Sequence, residues 1–180
     1  RAALWRLPVL FLCENNQYAM GTALARHSAD VDISHKSRAY GIDAETVDGM
    51  DVCAVQRACR YAAEAIREGS GPRFLTLQTY RFRAHSMYDA ERYRSKAEVA
   101  SWKKRDPITV LKENLESVKM LTEAEFEKME EAVDAKLDKS MEFSNASPEP
   151  LAVEVDTDVF APSKFTAADY ETDRRLRSDI

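Results

Sequence analysis

The sequence predicts an α/β fold in which a parallel sheet is flanked by helices. An apolar run at residues 9–13 ends abruptly in polar residues, as a buried strand of a parallel sheet does, and it is too short for a helix. Two further strand candidates lie on either side of one long amphipathic helical pattern, an order that is typical of a βαβ unit. Beyond residue 94, three helix-start signals predict a largely helical C-terminal region.

The N-terminal part of the chain supplies the first predicted strand and one short helix. Pro8 ends a helical turn, and the apolar strand follows it directly. Residues 14–31 are polar and predict irregular structure, apart from Met-Gly-Thr-Ala-Leu at residues 20–24. A short helix is predicted at residues 33–40, with Gly41 just beyond its end.

The βαβ unit follows. Residues 44–47 form its first strand candidate, and the next two residues, Asp48 and Gly49, are a strong turn pair. Asp51 is a suitable N-cap for a helix of about 17 residues, as its apolar spacing indicates. Apolar residues recur there at intervals of three and four, at Val52, Val55, Ala58, Ala62 and Ile66. A Gly-Ser-Gly-Pro sequence ends the helix, and residues 74–80 form the next strand, so the two strands should be parallel with a right-handed crossover.

The C-terminal half is predicted to be helical before it becomes a tail. Two capping boxes and one aspartate–proline pair mark helix starts at Ser95 with Glu98, Asp106 with Pro107, and Thr122 with Glu125. The last helix should reach about residue 143 and bury an apolar stripe made of Phe126, Met129, Val133, Leu137 and Met141. Residues 151–159 alternate and predict an edge or partner-facing strand, and residues 162–180 predict a mobile tail. We therefore expect one domain over residues 1–145, and a linker with a partner-facing or mobile tail over residues 146–180.

Composition limits the classes of function. A net charge of −5 over 180 residues argues against a general nucleic-acid binder. The three cysteines have neither C-x-x-C nor zinc-site spacing, and they predict buried thiols in a reducing compartment. No apolar run approaches the roughly 18 residues that a membrane span needs. Glycine is scarce, with 5 residues, although nucleotide-binding α/β folds carry glycines in their phosphate turns, so we expect a fragment that lacks its N-terminal part.

Neutral oxygen donors cluster directly after the first predicted strand. Glu14, Asn15, Asn16 and Gln17 follow the apolar run, and ligands of open α/β sheets bind just beyond the carboxyl ends of the strands. An amide oxygen and a backbone carbonyl placed there can ligate a hard cation such as Mg2+. The alternative is that the asparagines only form a turn, because asparagine tolerates left-handed backbone geometry. The residues alone favour the turn.

Four motifs add a family resemblance to this pattern. They are Glu-Asn-Asn-Gln-Tyr-Ala-Met-Gly-Thr at residues 14–22, Val-Asp-Gly-Met-Asp at residues 47–51, Tyr-Arg-Phe-Arg-Ala-His-Ser-Met at residues 80–87, and Tyr-Arg at residues 93–94. In this order they resemble the alpha subunits of thiamine diphosphate-dependent 2-oxo-acid dehydrogenases, and the combination is more specific than any single motif. The resemblance covers roughly residues 1–150 and implies a thiamine diphosphate-binding fold. It also implies that the Gly-Asp-Gly half of the cofactor motif lies upstream of this sequence.

The resemblance implies roles for four residues. Asn16 would be a side-chain ligand of Mg2+, and Tyr18 would be a ligand through its backbone carbonyl. Met20 would support the bent cofactor, with plain packing as the alternative. His85 would be the catalytic residue that contacts the cofactor phosphate and the incoming lipoyl group, because imidazole can donate or transfer a proton near neutral pH. The alternative for His85 is a solvated loop histidine without a special role.

The arginine-rich loop around this histidine carries further implied roles. Arg81 and Arg83 are suited to anchor the loop or bind phosphates by forked hydrogen bonds. Asp89, Arg92 and Arg94 would help to order the loop, with surface ion pairing as the alternative. Ser86 matches a position that eukaryotic relatives phosphorylate, where a phosphate would repel the cofactor diphosphate.

Three positions depart from the family pattern. Ala84 stands where the family often has glycine, immediately before the histidine. Ala23 and Arg92 stand at or near the other two regulatory serines, so we do not expect kinase control and favour a bacterial version.

The resemblance implies oxidative decarboxylation of pyruvate and transfer of the acyl group to the lipoyl group of a dihydrolipoyl acyltransferase. The cofactors would be thiamine diphosphate and Mg2+. The partners would be a beta subunit, in an α2β2 heterotetramer, and the lipoyl domain. Branched-chain 2-oxo-acid and acetoin dehydrogenases are the alternatives within the class, and a non-catalytic partner-binding fragment is the alternative from another class. A bacterial cytoplasm is favoured over a mitochondrial matrix.

Overall fold

The computed structural model describes residues 1–157 and divides the chain into two units, residues 1–127 and residues 128–180. The strands are β1 Leu10–Asn15, β2 Tyr18–Ala19, β3 Thr22–Ala23, β4 Asp43–Asp48 and β5 Arg73–Gln78. The α-helices are α1 Leu24–His27, α2 Ile33–Arg38, α3 Val52–Arg67, α4 Lys96–Lys103, α5 Pro107–Ser117 and α6 Glu123–Ala146, and a 3-10 helix covers Ala152–Asp156. The predicted domain boundary at residue 145 stays a prediction.

The predicted parallel sheet is confirmed. Its strand order is β1–β5–β4, and both pairings are parallel. The register places Asn15 and Asp48 on opposite sides of Gln78, so the carboxyl ends of all three strands are level. Loops that follow the three strands therefore meet along one edge of the sheet, where an α/β sheet binds its ligands.

Helices cover both faces of this sheet. On one face, Ala62 of α3 packs with Val47, Leu75 and Leu77 in a buried apolar cluster. Thr76 points the opposite way because successive strand residues alternate between faces. Its hydroxyl lies 2.9 Å from the Ser34 hydroxyl of α2, and both side chains are fully buried. The sheet flanked by helices is thus confirmed, with an apolar contact on one side and a hydroxyl contact on the other.

The predicted helix starts are confirmed by their caps. The Asp51 carboxylate accepts hydrogen bonds from the backbone N–H groups of Cys53 and Ala54 at the start of α3. Asp106 caps α5, with proline at the first helical position. Ser95 caps α4, where its hydroxyl oxygen accepts a bond from the Glu98 N–H.

Two expectations about the N-terminal region are wrong. Strand β1 is not buried: Phe11 and Leu12 are 37% and 54% exposed, because β1 pairs only with β5 and lies at the edge of the described sheet. Residues 14–31 are also less irregular than expected. They contain the β2–β3 hairpin and the single turn of α1, since a two-residue pairing is too short to give a sequence period.

Two expectations about the C-terminal region are also wrong. The apolar stripe of α6 is not buried, and its exposed members are Met129, Val133, Leu137 and Met141. Apolar spacing shows that a helix is amphipathic but not that another element lies against it. The described part of the predicted strand contains the 3-10 helix Ala152–Asp156 instead, because local bonds such as Glu154 N–H to the Leu151 carbonyl satisfy the backbone. Residues 158–159 of the predicted strand, and the predicted tail at 162–180, lie outside the described residues.

No helix among the described residues is both long enough and apolar enough to cross a membrane.

Candidate functional site

The site is built on three amide side chains at the carboxyl edge of the sheet. The buried Asn15 donates from Nδ2 to Oε1 of Gln78 on the neighbouring strand, at 3.1 Å. Gln17 donates from Nε2 to the same oxygen at 2.7 Å, and its backbone N–H donates to Asn15 Oδ1 at 3.1 Å. Gln17 has a φ of +70°, so the chain turns sharply there. Asn15 and Gln17 are therefore occupied in holding the turn that follows β1.

Asn16 lies between these two residues and faces a different partner. Its Oδ1 accepts a hydrogen bond from the Thr79 hydroxyl at 3.0 Å, while the Thr79 N–H donates to the Asn15 carbonyl. The Asn16 side chain is half-buried. An amide oxygen has two lone pairs, and the Thr79 bond uses one of them. The remaining capacity fits a hard cation, and the threonine bond fixes the direction in which the oxygen points.

A glycine lets the end of β4 approach this edge closely. The Gly49 N–H donates to the Gln78 carbonyl at 2.9 Å. A Cβ atom at Gly49 would lie 2.5 Å from Cγ2 of Thr79 and 2.8 Å from the Gln78 carbonyl oxygen. Glycine is required here because any side chain would displace the threonine that holds Asn16.

Tyr18 follows the turn, and its side chain contacts Glu98 and Tyr80. Its hydroxyl donates to Glu98 Oε1 at 2.9 Å, and the Tyr80 hydroxyl donates to the same oxygen at 3.0 Å. The two rings meet edge to face with centroids 6.3 Å apart. Burial and the bond to Glu98 raise the pKa of Tyr80 to about 12, and the same two causes raise the pKa of Tyr18. Both phenols therefore remain protonated donors at neutral pH.

Tyr93 joins the hairpin to the long loop that follows β5. Its ring lies 5.4 Å from that of Tyr18, between centroids. A Cβ atom on Gly21 would lie 3.3 Å from the same ring, so the tip of the β2–β3 hairpin rests on it. The Tyr93 hydroxyl donates to Asp89 at 2.7 Å, and this bond, with one from the Glu91 N–H, lowers the pKa of Asp89.

His85 is held from two sides within this loop. A guanidinium nitrogen of Arg81 lies 2.8 Å from His85 Nδ1, and the His85 backbone N–H donates to Asp89 at 3.1 Å. Arginine is only a donor, so Nδ1 accepts and the imidazole proton resides on Nε2. This arrangement leaves Nε2–H as the donor that the histidine offers to a ligand.

Arg94 forms hydrogen bonds to both ends of the loop. Its side chain is only 3% exposed, and it donates to the backbone carbonyls of Arg81 and Phe82 and to the Glu91 carboxylate. It also lies over the Tyr80 ring at 5.3 Å, a favourable cation–π contact. The loop is thus tied back to its own start.

The other predicted site residues are placed differently. Met20 is 64% exposed, with a φ of +52°. The Ser86 side chain is exposed and accepts a weak bond from the Tyr88 N–H at 3.3 Å. Arg83 is exposed and, within residues 1–157, forms no hydrogen bond or ion pair. The same part of the chain contains no group of three or more His, Cys, Asp or Glu side chains that could hold a metal ion.

Sequence reasoning missed three residues of the site. Gln78 ends β5 and Thr79 follows it directly, and their signal is present in the sequence: polar residues at the end of a strand parallel to β1 must lie beside the asparagines. Glu98 was interpreted as part of a capping box, and its contact with two tyrosines far away in sequence has no local signal.

Comparison with known proteins gives a consistent family. The model of the family described as "Dehydrogenase E1 component" matches residues 1–153. The chain is 43% identical over 159 residues to a protein of Rhizobium meliloti named pyruvate dehydrogenase E1 component subunit alpha, covering 88% of this chain and 46% of that protein. It is 40% identical to the protein of the same name from Rickettsia felis, covering 88% of this chain and 49% of that protein. It is 39% identical over 163 residues to the chloroplastic pyruvate dehydrogenase E1 component subunit alpha-3 of Arabidopsis thaliana, covering 91% of this chain and 38% of that protein. The chain spans about half the length of the curated relatives it matches, or less.

Proposed function

This chain belongs to the dehydrogenase E1 component family, and we propose that it is part of the alpha subunit of a thiamine diphosphate-dependent pyruvate dehydrogenase. The names of the relatives support pyruvate as the substrate. The observation that carries the proposal is the turn after β1, where Asn16 presents an amide oxygen fixed by Thr79 at the ligand-binding edge of a parallel sheet.

The donors of this turn suit a magnesium ion bound together with the diphosphate of the cofactor. Mg2+ prefers hard oxygen ligands, and it is commonly held by few protein groups together with phosphate oxygens. We assign the Asn16 side chain and the Tyr18 backbone carbonyl as the ligands from this chain. Met20, exposed on the same hairpin, would contact the organic part of the cofactor. When bound, the cofactor supplies the electron sink for decarboxylation.

His85 is the proposed catalytic residue. Its Nε2–H can donate to a phosphate oxygen or to the lipoyl group, because Nδ1 is already occupied by Arg81. Arg94 and Asp89 keep the loop folded around it. A phosphate on the exposed Ser86 would bring negative charge next to the Asp89 carboxylate and the proposed diphosphate site, which would oppose this loop conformation.

We propose an α2β2 assembly with a beta subunit, and transfer of the acyl group to the lipoyl domain of a dihydrolipoyl acyltransferase. A bacterial cytoplasm is the proposed location, with the mitochondrial matrix as the alternative. Assays with pyruvate, a branched-chain 2-oxo acid and acetoin would separate the three members of the class.

Cofactor binding tests the proposal directly. In the full-length protein with its partner, Asn16→Ala should weaken Mg2+-dependent binding of thiamine diphosphate by about 10-fold or more, since loss of even an outer-shell partner of a metal ligand typically costs about 10- to 100-fold. Calorimetric titration with and without Mg2+ measures the effect. Asn114→Ala makes the same chemical change on the exposed face of α5 and should leave the affinity unaltered.

Two results would count against the assignment. An Asn16→Ala protein with unchanged affinity would remove this residue as a ligand. A full-length wild-type protein that binds its partner but no cofactor would favour the non-catalytic alternative.

A further inference from the structure

One carboxylate oxygen joins two segments of the proposed site. Glu98 lies in the first turn of α4, and its Oε1 accepts a hydrogen bond from the Tyr18 hydroxyl and another from the Tyr80 hydroxyl. Tyr18 belongs to the hairpin that follows Asn16, and Tyr80 begins the loop that carries His85. Tyr18 lies 80 positions before Glu98 in the sequence and Tyr80 lies 18 positions before it, so one atom holds two segments that are far apart along the chain.

A second capping box in the same chain shows that this arrangement is not ordinary capping. At the start of α6, the Glu125 carboxylate accepts from the Thr122 N–H at 2.9 Å, and the Thr122 hydroxyl accepts from the Glu125 N–H. That is the reciprocal pattern of a capping box. At α4 only one half exists: Ser95 accepts from the Glu98 N–H, and the glutamate side chain turns to the tyrosines.

The surrounding rings make the contact specific. Tyr80 stacks on Trp102 of α4 with centroids 5.1 Å apart and an interplanar angle of 8°. The Tyr18 ring contacts the Tyr80 ring edge to face and the Tyr93 ring at a tilt, so aromatic rings pack against it on two sides. Tyr80 is 5% exposed, and Tyr18 and Glu98 are half-buried, so the contact is partly shielded from water. Hydrogen bonds to a charged acceptor in such surroundings are stronger than those between neutral groups.

We propose that Glu98 is a positioning residue that fixes the metal-binding hairpin and the His85 loop in one arrangement. It acts through the two tyrosines and does not itself touch the ligand. The proposal rests on the function proposed above, because it explains how the Tyr18 carbonyl is placed for the ion. Loss of the carboxylate should release both segments at once.

Hydrogen exchange in the full-length protein without cofactor tests the proposal. Glu98→Ala should accelerate amide exchange by about tenfold or more in peptides that cover residues 16–23 and residues 79–94, as the loss of hydrogen bonds to a charged group implies. Glu98→Gln keeps a carbonyl acceptor and should restore much of the protection. Glu125→Ala is the matched control, and it should accelerate exchange only at the start of α6.

A second variant covers the case in which Glu98→Ala fails to fold. Tyr18→Phe removes a single donor and leaves the carboxylate bonded to Tyr80, so exchange should rise at residues 16–23 and not at residues 79–94. Faster exchange of α4 alone in Glu98→Ala would overturn the proposal, as would a Tyr18→Phe protein with wild-type protection. Because no cofactor is present, these results do not depend on whether Asn16 binds metal.

A binding measurement separates positioning from a general structural role. Glu98→Ala should raise the apparent Kd for thiamine diphosphate in the presence of Mg2+, while the KM for the 2-oxo acid changes little. Glu98→Gln should recover the cofactor affinity. Equal losses for cofactor and substrate, without recovery in the glutamine variant, would count against positioning.

Discussion

At the scale of single residues, the site depends on neighbours that orient the proposed functional side chains. Thr79 directs the Asn16 oxygen, and Gly49 leaves the space in which Thr79 lies. Arg81 decides which nitrogen of His85 carries the proton. These supporting residues have partners already in place, so changes in them should be measurable in the protein without any ligand.

Replacing Gly49 tests how closely the backbone after β4 approaches Gln78 and Thr79. Gly49→Ala should lower the free energy of unfolding by about 1–3 kcal/mol, because the new methyl group meets the Thr79 side chain and a backbone carbonyl in a packed region. Denaturation in urea measures the loss. Adding Thr79→Ser removes the closer contact, at Cγ2, and should recover only part of the stability, since the Gln78 carbonyl oxygen remains 2.8 Å away. Full stability in the single variant would show that the two strand ends are further apart.

The Tyr80 phenol should make stability depend on alkaline pH. Its pKa is raised from 10.0 to about 12 in the folded protein, so the folded state holds this proton more tightly than the unfolded chain does. The resulting stabilisation is complete below about pH 10 and is lost as the pH rises towards about 12. The free energy of unfolding should therefore fall less steeply in Tyr80→Phe than in the wild type across this interval. Tyr40→Phe, at an exposed position, is the control and should keep the wild-type slope.

At the scale of elements, α3 contacts all three strands of the sheet. Its N-cap lies two residues after Gly49, so the helix start and the strand edge are determined together. The sequence contained the signals for this arrangement, because caps, turn pairs and apolar spacing are local.

The Asp51 cap can be tested without disturbing the site chemistry. Asp51→Ala should cost about 0.5–2 kcal/mol of the free energy of unfolding, since two N–H groups of the first turn lose their acceptor. Asp51→Asn keeps a side-chain oxygen and should cost only a few tenths of a kcal/mol. Chemical denaturation of the three proteins compares them. Equal stabilities would mean that water replaces the carboxylate at no cost.

Features that depend on residues close together in the sequence were predicted, whereas features that depend on distant residues were not. The three strands, the α3 stripe and the caps at Asp51, Asp106 and Thr122 depend on neighbours within a few residues, and the sequence predicted them correctly. Burial of the α6 stripe depends on whether another element lies against it, and that prediction was wrong. In the site, the asparagine turn could be anticipated, whereas the double bond to Glu98 joins residues that only the fold brings together.

At the scale of the whole molecule, burial is uneven across the sheet. The central strand β5 carries Leu75 at 3% exposure, while its neighbour β1 leaves Leu12 at 54%. These two residues are paired in register, so they share one face and differ mainly in what lies beside them. The contribution of a leucine to stability should therefore change sharply over one strand spacing.

Leucine truncation measures this difference. In the chain of 180 residues, Leu75→Ala should cost about 2–5 kcal/mol, because it leaves a cavity in the buried cluster. Leu12→Ala should cost about 1 kcal/mol or less, since roughly half of a leucine transfer free energy is at stake. Urea denaturation of both variants gives the comparison. A similar loss for the two would show that β1 is covered as fully as β5.

The oxygen atom of Glu98 that is shared by two phenols also limits how homologous sequences can diverge. In a lineage that replaces Tyr18 by phenylalanine, the carboxylate still accepts from Tyr80, so the acid should be retained after that change. Once both phenols are lost, a half-buried carboxylate has no donor, and selection should favour a neutral or apolar residue at position 98. Positions 18, 80 and 98 should therefore covary as a triplet, with the tyrosines lost before the acid.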